Sequence, residues 1–142
     1  MPITETRGVR NRNPGNIDYS PRNNWQGQLG LEVGVPKPRF ARFDTAENGI
    51  RALGKTLLTY QRKHGLKTVK AIISRWAPSV ENDTAAYVRA VEANTGTTPG
   101  AEVDLTQAPV MLGFVKAIIH HENAGYAYPD AVLAEGVRRA LT

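Results

Sequence analysis

The chain has 142 residues, of which 41% are hydrophobic and 22% charged, with 13 glycines, 9 prolines and no cysteine. This suits one soluble domain spanning residues 1–142, and it excludes disulfide scaffolds and thiolate chemistry. No apolar run approaches the roughly 20 residues of a membrane span, so no membrane insertion is expected, and the first ten residues lack the apolar segment of a secretory signal.

Eighteen Lys and Arg against thirteen Asp and Glu leave a formal charge of +5. Such a balance draws a protein to polyanions: nucleic acid, anionic lipid or an acidic bacterial wall. The cations of the first half, among them Arg7, Arg22, Lys37, Arg39, Arg42, Arg51 and Lys55, lie scattered among Asn, Gly and Pro. They form no dense tract, so no specific nucleic-acid partner is expected.

Residues 1–43 are rich in Gly, Pro, Asn and Arg. The short alternations at 15–19 and 39–43 suit strands joined by the turns NPGN and VPKP. From Asp44 the pattern becomes helical through residue 142. Asp44 is the expected N-cap of a helix that closes at Gly65 and aligns Ile50, Leu53, Leu57 and Tyr60 on one face. A second helix begins at Thr68, buries Val69, Ile72, Ile73 and Trp76, and stops at Pro78. A third, capped by Asn82 or Asp83, turns Tyr87, Val88 and Val91 inward. A fourth, over 106–121, carries Leu112, Val115, Ile118 and Ile119, and a last amphipathic segment covers 129–141. The expected class is α+β and mainly helical: a small N-terminal sheet followed by about five helices.

The stretch IIHHENAGYAYPD, 118–130, poses the chemical question. Spacings of three and four put Ile118, Ile119 and Glu122 on one helix face, so the carboxylate continues the buried stripe. It also falls at a helix C-terminus, where the macrodipole disfavours negative charge. Burial and dipole both raise a carboxyl pKa, as a general acid needs in order to keep its proton near neutrality. An exposed Glu that merely ends a helix fits the same spacing. The adjacent His120 and His121 point about 100° apart on a helix and cannot chelate one ion as an i, i+4 pair does. No metal and no cofactor are expected.

Two further clusters stand out. In RNRNPGNIDYSPRNNWQGQ, Asn13 and Asn16 supply amides and Tyr19 and Trp25 supply aromatic faces, a combination suited to a polyhydroxylated ligand. In RWAPSVENDTAAYV, Glu81 is a possible second carboxylate, while Trp76 and Tyr87 also suit a core. Nucleophile elbow, P-loop and dinucleotide fingerprint are all missing.

With these residues in view, the chain resembles phage-encoded wall-degrading or virion proteins of the lysozyme-like superfamily. The stretches that carry the likeness are RGVRNRNPGNI, Trp25-x-Gly27-Gln28, RFARFDTAENGIRAL, RWAPSVENDTAAYV and HHENAGYAYPDAVLAEG. It is also distantly similar to the bacterial glucosaminidases of autolysins and flagellar rod assembly. In those enzymes a helix ending in the catalytic Glu precedes the polar turn, the W.G strand pair and a Phe-led helix opening. Here the turn, Trp25-x-Gly27 and the opening from Phe40 to Gly49 come in that order, and the apolar helix ending in Glu comes after them. The resemblance therefore implies a lysozyme-like domain in circularly permuted order, feasible where chain termini lie close together.

On this resemblance a monomeric protein would cleave peptidoglycan between N-acetylmuramic acid and N-acetylglucosamine. Glu122 would protonate the leaving oxygen, and Asn13 and Asn16 would hold acetamido or hydroxyl groups. Tyr87 would steady the developing cation, and Tyr19, Trp25, Glu81 and His121 would complete the substrate site. A hydrolase needs a second carboxylate, about 5–5.5 Å away for retention or 6.5–9.5 Å for inversion, and Asp18, Asp44 and Glu81 are the candidates. A lytic transglycosylase needs one Glu, because a substrate hydroxyl attacks. The rival readings are a non-catalytic wall-binding or structural virion component and a basic DNA-associated phage protein. With no export signal expected, the protein would pass from host cytoplasm to the wall or be carried in the virion.

Overall fold

The structure is a computed structural model and describes residues 5–78 and 83–142. Its elements are α1 (Arg7–Arg10), β1 (Gln28–Leu31), β2 (Ala41–Phe43), α2 (Ala46–His64), α3 (Val69–Trp76), α4 (Thr84–Thr95), α5 (Ala108–Glu122) and α6 (Asp130–Ala140). The α+β, mainly helical class is as expected. The one-turn helix α1 was not expected, because four residues carry no readable helical period.

The sheet is a single antiparallel pair, with Leu31 opposite Ala41 and a register shift between Gln28 and Gly30. The strand expected over 39–43 is β2, confined to Ala41–Phe43, whereas 15–19 supplies only an isolated bridge between Asp18 and Phe40. Asn13 is the reason. Its amide donates to the carbonyls of Ile17 and Ala41, both at 2.9 Å, and accepts from the Ile17 N–H, so 13–17 closes as a side-chain-bonded loop.

The helices start where small oxygen-bearing side chains can cap them. Thr68 accepts from Ala71 N and Asp83 from Ala86 N. For α2 the cap is Thr45, accepting from Asn48 N, rather than Asp44; the Asp44 carboxylate accepts from the Asn48 side chain at 2.9 Å instead. Gly65 and Gly96, both left-handed, end α2 and α4.

Helix α2 is the hub. Ile50, Leu53 and Leu57 are fully buried among Ile72 and Ile73 of α3, Val91 of α4, Phe114, Val115 and Ile118 of α5 and Val137 of α6. Gly49 lets its first turn lie directly on the Arg12 carbonyl, where any Cβ would collide. That contact brings the amino-terminal loop onto the helical body.

A second fixed point is Glu32, 2% exposed. It accepts hydrogen bonds from Arg7 Nε at 2.8 Å, from Arg7 Nη2, from Asn11 Nδ2 at 2.9 Å, and from the backbone N–H groups of Arg39 and Phe40. These donors, Arg7 foremost, hold its carboxyl far below the usual range. A depressed carboxyl stabilises the fold above its unfolded pKa, and that stability is lost as pH falls through and below the ordinary Glu value. Wild type is therefore expected to weaken in urea below about pH 4.5, with a shallower pH slope in Glu32→Gln. Leu53→Ala is expected to cost about 3 kcal/mol at neutral pH in the same assay.

Candidate active site

Glu122 is the last residue of α5, and the residue after it decides what it faces. Asn123 is 1% exposed. Its amide nitrogen donates to the Pro14 carbonyl at 2.7 Å and to the Ile119 carbonyl at 3.0 Å, while its oxygen accepts from Thr6 Oγ1 at 2.8 Å. One side chain thus satisfies a terminal carbonyl of α5 and ties the helix end to segments more than a hundred residues earlier. Gly8 lets α1 sit flush here, since a Cβ at that position would run into Asn123 Oδ1 and stand 3.0 Å from Asn16 Oδ1.

The consequence is a cleft of about 340 Å³ between the amino-terminal loop and the helices. It is lined by Gly15, Asn16, Ile17 and Asp18 on one side, by Arg39 and Phe40 along the β2 approach, and by Tyr60, Trp76 and Glu122 on the other. Glu122 is half-buried. Burial pushes its carboxyl pKa up, and the Asn16 side chain and the His121 and Arg39 charges pull it only part of the way back. Asn16, left-handed at φ 49°, carries a buried amide oxygen with no hydrogen-bond partner. Among the described residues Asp18 is the other carboxylate that lines the cleft; it is largely exposed and paired with Arg39 at 2.7 Å.

The remaining expected site residues divide. Tyr87 is 2% exposed. Its hydroxyl accepts from Trp76 Nε1 at 3.1 Å, and its ring packs on His121 with centroids 4.1 Å apart. Tyr87 and His121 back the cleft from a separate, mostly apolar hollow of about 620 Å³ with Ile119, Tyr126 and Leu133, which Glu122 does not line. Burial, with the nearby Glu122 charge, drives the Tyr87 hydroxyl well above its ordinary pKa.

Three expectations are corrected. Asn13 is fully buried, with its amide committed to Ile17 and Ala41, so it shapes the loop and cannot hold a ligand. Tyr19 and Trp25 pack on the small cluster of Ala41, Phe43 and Ala52, and neither lines the Glu122 cleft. Asp44 also lies off the cleft, engaged with Asn48. Glu81 falls outside the described residues.

Arg39, Phe40, Tyr60 and Trp76 line the cleft although the sequence marked none of them as site residues. The available signal was amphipathic aromatics at the edges of helical stripes, which also describes ordinary core rings. Among the described residues no three His, Asp or Glu side chains gather as a metal site, and no helix is long and apolar enough to cross a membrane.

The fold and site thus define a mainly helical α+β domain with a half-buried carboxylate in a polar and aromatic cleft. No protein-family profile matches the chain. Over 132 residues it is 36% identical to Protein P5 of Pseudoalteromonas phage PM2, a match covering 92% of this chain and 79% of the phage protein. The chain belongs to the family of that phage protein and is phage-encoded.

Two outcomes are expected. Asn123→Ala should lose about 2 kcal/mol of unfolding free energy in urea, from stranded buried partners. In Arg39→Gln, loss of the cation and release of Asp18 should both move the Glu122 carboxyl to a higher pKa, read by carbon-13 NMR; an unmoved titration would count against their shared cleft.

Proposed function

We propose that this protein cleaves the glycan strands of peptidoglycan, with Glu122 as general acid, in a lysozyme-like domain of circularly permuted order. The observation that carries the reading is Glu122 itself: a carboxyl with a burial-raised pKa, at the end of an apolar helix, facing a loop that offers Asn16 and Asp18. A group so placed keeps its proton at higher pH than an ordinary Glu and can pass it to a glycosidic oxygen. The Asn16 side chain hydrogen-bonds the Glu122 carboxyl and holds it in place across the cleft. Tyr60 and Trp76 offer ring surface to the apolar faces of a pyranose. Tyr87, held by Trp76 and His121, fixes the wall behind the acid.

The pairing of Asp18 with Arg39 favours one branch of the chemistry. The Asp18 carboxylate is already occupied by the Arg39 guanidinium, so attack by the substrate's own 6-hydroxyl, as in a lytic transglycosylase, suits the cleft better than activation of water. The glycosidic bond breaks as Glu122 delivers its proton to the leaving oxygen. The C6 oxygen bonds to the anomeric carbon, and its proton returns to the carboxylate, which restores the acid. A non-catalytic wall-binding or structural virion component is the rival. It is favoured by the absence of an unpaired second carboxylate among the described cleft residues.

Digestion of purified sacculi with mass spectrometry of the released sugars separates these readings. Wild type is expected to release 1,6-anhydromuropeptides. Glu122→Gln, nearly isosteric but unable to donate the proton, should lose at least about 100-fold in rate. Activity should fall as pH rises, on a limb displaced above that of an unperturbed Glu. Reducing muramic acid ends would mean hydrolysis, and sedimentation with sacculi without soluble product would favour the binding module. Undiminished lysis by Glu122→Gln would remove the carboxyl from the mechanism.

A further inference from the structure

On a different face, the outer side of α2 and residues 24–25 enclose a hollow of about 410 Å³. Among the described residues its lining is Asn24, Trp25, Arg51, Lys55, Leu58, Thr59, Arg62 and Lys63, four cations and no carboxylate. Among the described residues the side chains of Arg51, Arg62 and Lys63 form no ion pair and no hydrogen bond, and the Lys55 ammonium donates only to the Thr142 backbone oxygen at 3.0 Å. Four arginines elsewhere are ion-paired: Arg7 with Glu32, Arg39 with Asp18, and Arg138 and Arg139 with Glu135. Here no lining side chain counters the four cations, and they repel. Partial burial and the Arg51 and Arg62 charges together make the Lys55 ammonium easier to deprotonate. The buried indole N–H of Trp25 at the same hollow has no acceptor.

We infer that this hollow binds the phosphodiester backbone of a single nucleic-acid strand, without reading its sequence. The cationic lining presents donors and charge to successive oxyanions, and a bound phosphate relieves a repulsion that no side-chain carboxylate of the described lining relieves. Arg51 to Arg62 spans about 16 Å at 1.5 Å per residue, long enough for several phosphates in series and not only for one free ion. Its concavity and its lack of exposed large apolar side chains disfavour a bilayer; the exposed Leu29, Leu31, Val33 and Tyr126 all lie outside it. The site does not depend on the Glu122 reading, because the two share no residue.

The test is fluorescence anisotropy of a labelled, mixed-sequence 12-nucleotide DNA strand titrated with the full chain from low to moderate salt. Neutralising three to four phosphates predicts a log–log salt slope of about −2 to −3, at roughly −0.7 per contact for single strands. Arg51→Gln/Arg62→Gln should bind at least about tenfold more weakly at low salt and flatten the slope by about 1.4. Glu122→Gln should bind like wild type. Circular dichroism melting shows whether the double variant is folded; if it is not, the single variants Arg62→Gln and Lys63→Gln carry the same comparison. No binding at low salt, or binding that the folded variants leave unchanged, overturns the inference. So does saturation by inorganic phosphate alone, or a preference for vesicles of anionic phospholipid over the strand.

Discussion

The three hydrogen bonds of the Asn123 side chain are the constraint from which the cleft follows. An α-helix leaves its last carbonyls without intrahelical partners, and α5 could have ended on a glycine as α2 and α4 do. Instead Asn123 reaches back to the Ile119 carbonyl and outward to Pro14 and Thr6, so the helix end is closed by the amino-terminal segment itself. Glu122, one residue earlier, is thereby carried against Asn16 and the Asp18–Phe40 bridge. Gly8 and Gly49 make the approach sterically possible, at the two places where a methyl group would force the loop away from the helices.

Glu32 does for the β-hairpin what Asn123 does for the helix. A buried carboxylate is costly unless its lone pairs are filled, and five donors from α1, the following loop and the β2 approach converge on it. The same convergence places Arg39 and Phe40 on the rim of the cleft. Two anchors of opposite kind, one neutral amide and one anion, therefore fix the two walls that face each other across Glu122. Charge is distributed just as unevenly. The cleft balances Asp18 against Arg39 beside an acid that burial discourages from ionising, whereas the outer face of α2 gathers cations without counter-charge.

Much of the helical part was legible because its signals are local. Thr68 and Asp83 cap where a small oxygen-bearing side chain must, Gly65 closes α2, and the stripe Ile50, Leu53, Leu57 is as buried as its spacing implies. The register of Glu122 with Ile118 and Ile119 allowed both an inward and an exposed carboxylate, and the structure half-buries it. The amino-terminal third was harder. Its conformation rests on Asn13 and Glu32, whose partners lie up to 28 residues away and leave no periodic trace. Asn13 was read as a ligand contact because an amide in a polar turn is chemically ambiguous; only its complete burial reassigns it. Trp25 was placed with Asn16 on nearness in sequence, but it packs on Ala41, Phe43 and Ala52 and turns toward α2 instead.

By itself the sequence determined the class and the helix register that sets Glu122 beside Ile118 and Ile119, because hydrophobic period and capping act within a few residues. Tertiary structure alone decided what that carboxylate faces, which aromatic rings line the cleft and where uncompensated charge collects. Those outcomes depend on contacts between segments as much as 117 residues apart, such as Thr6 with Asn123. Packing and desolvation act on whatever lies adjacent in space, and adjacency of that kind is created only when the chain closes on itself.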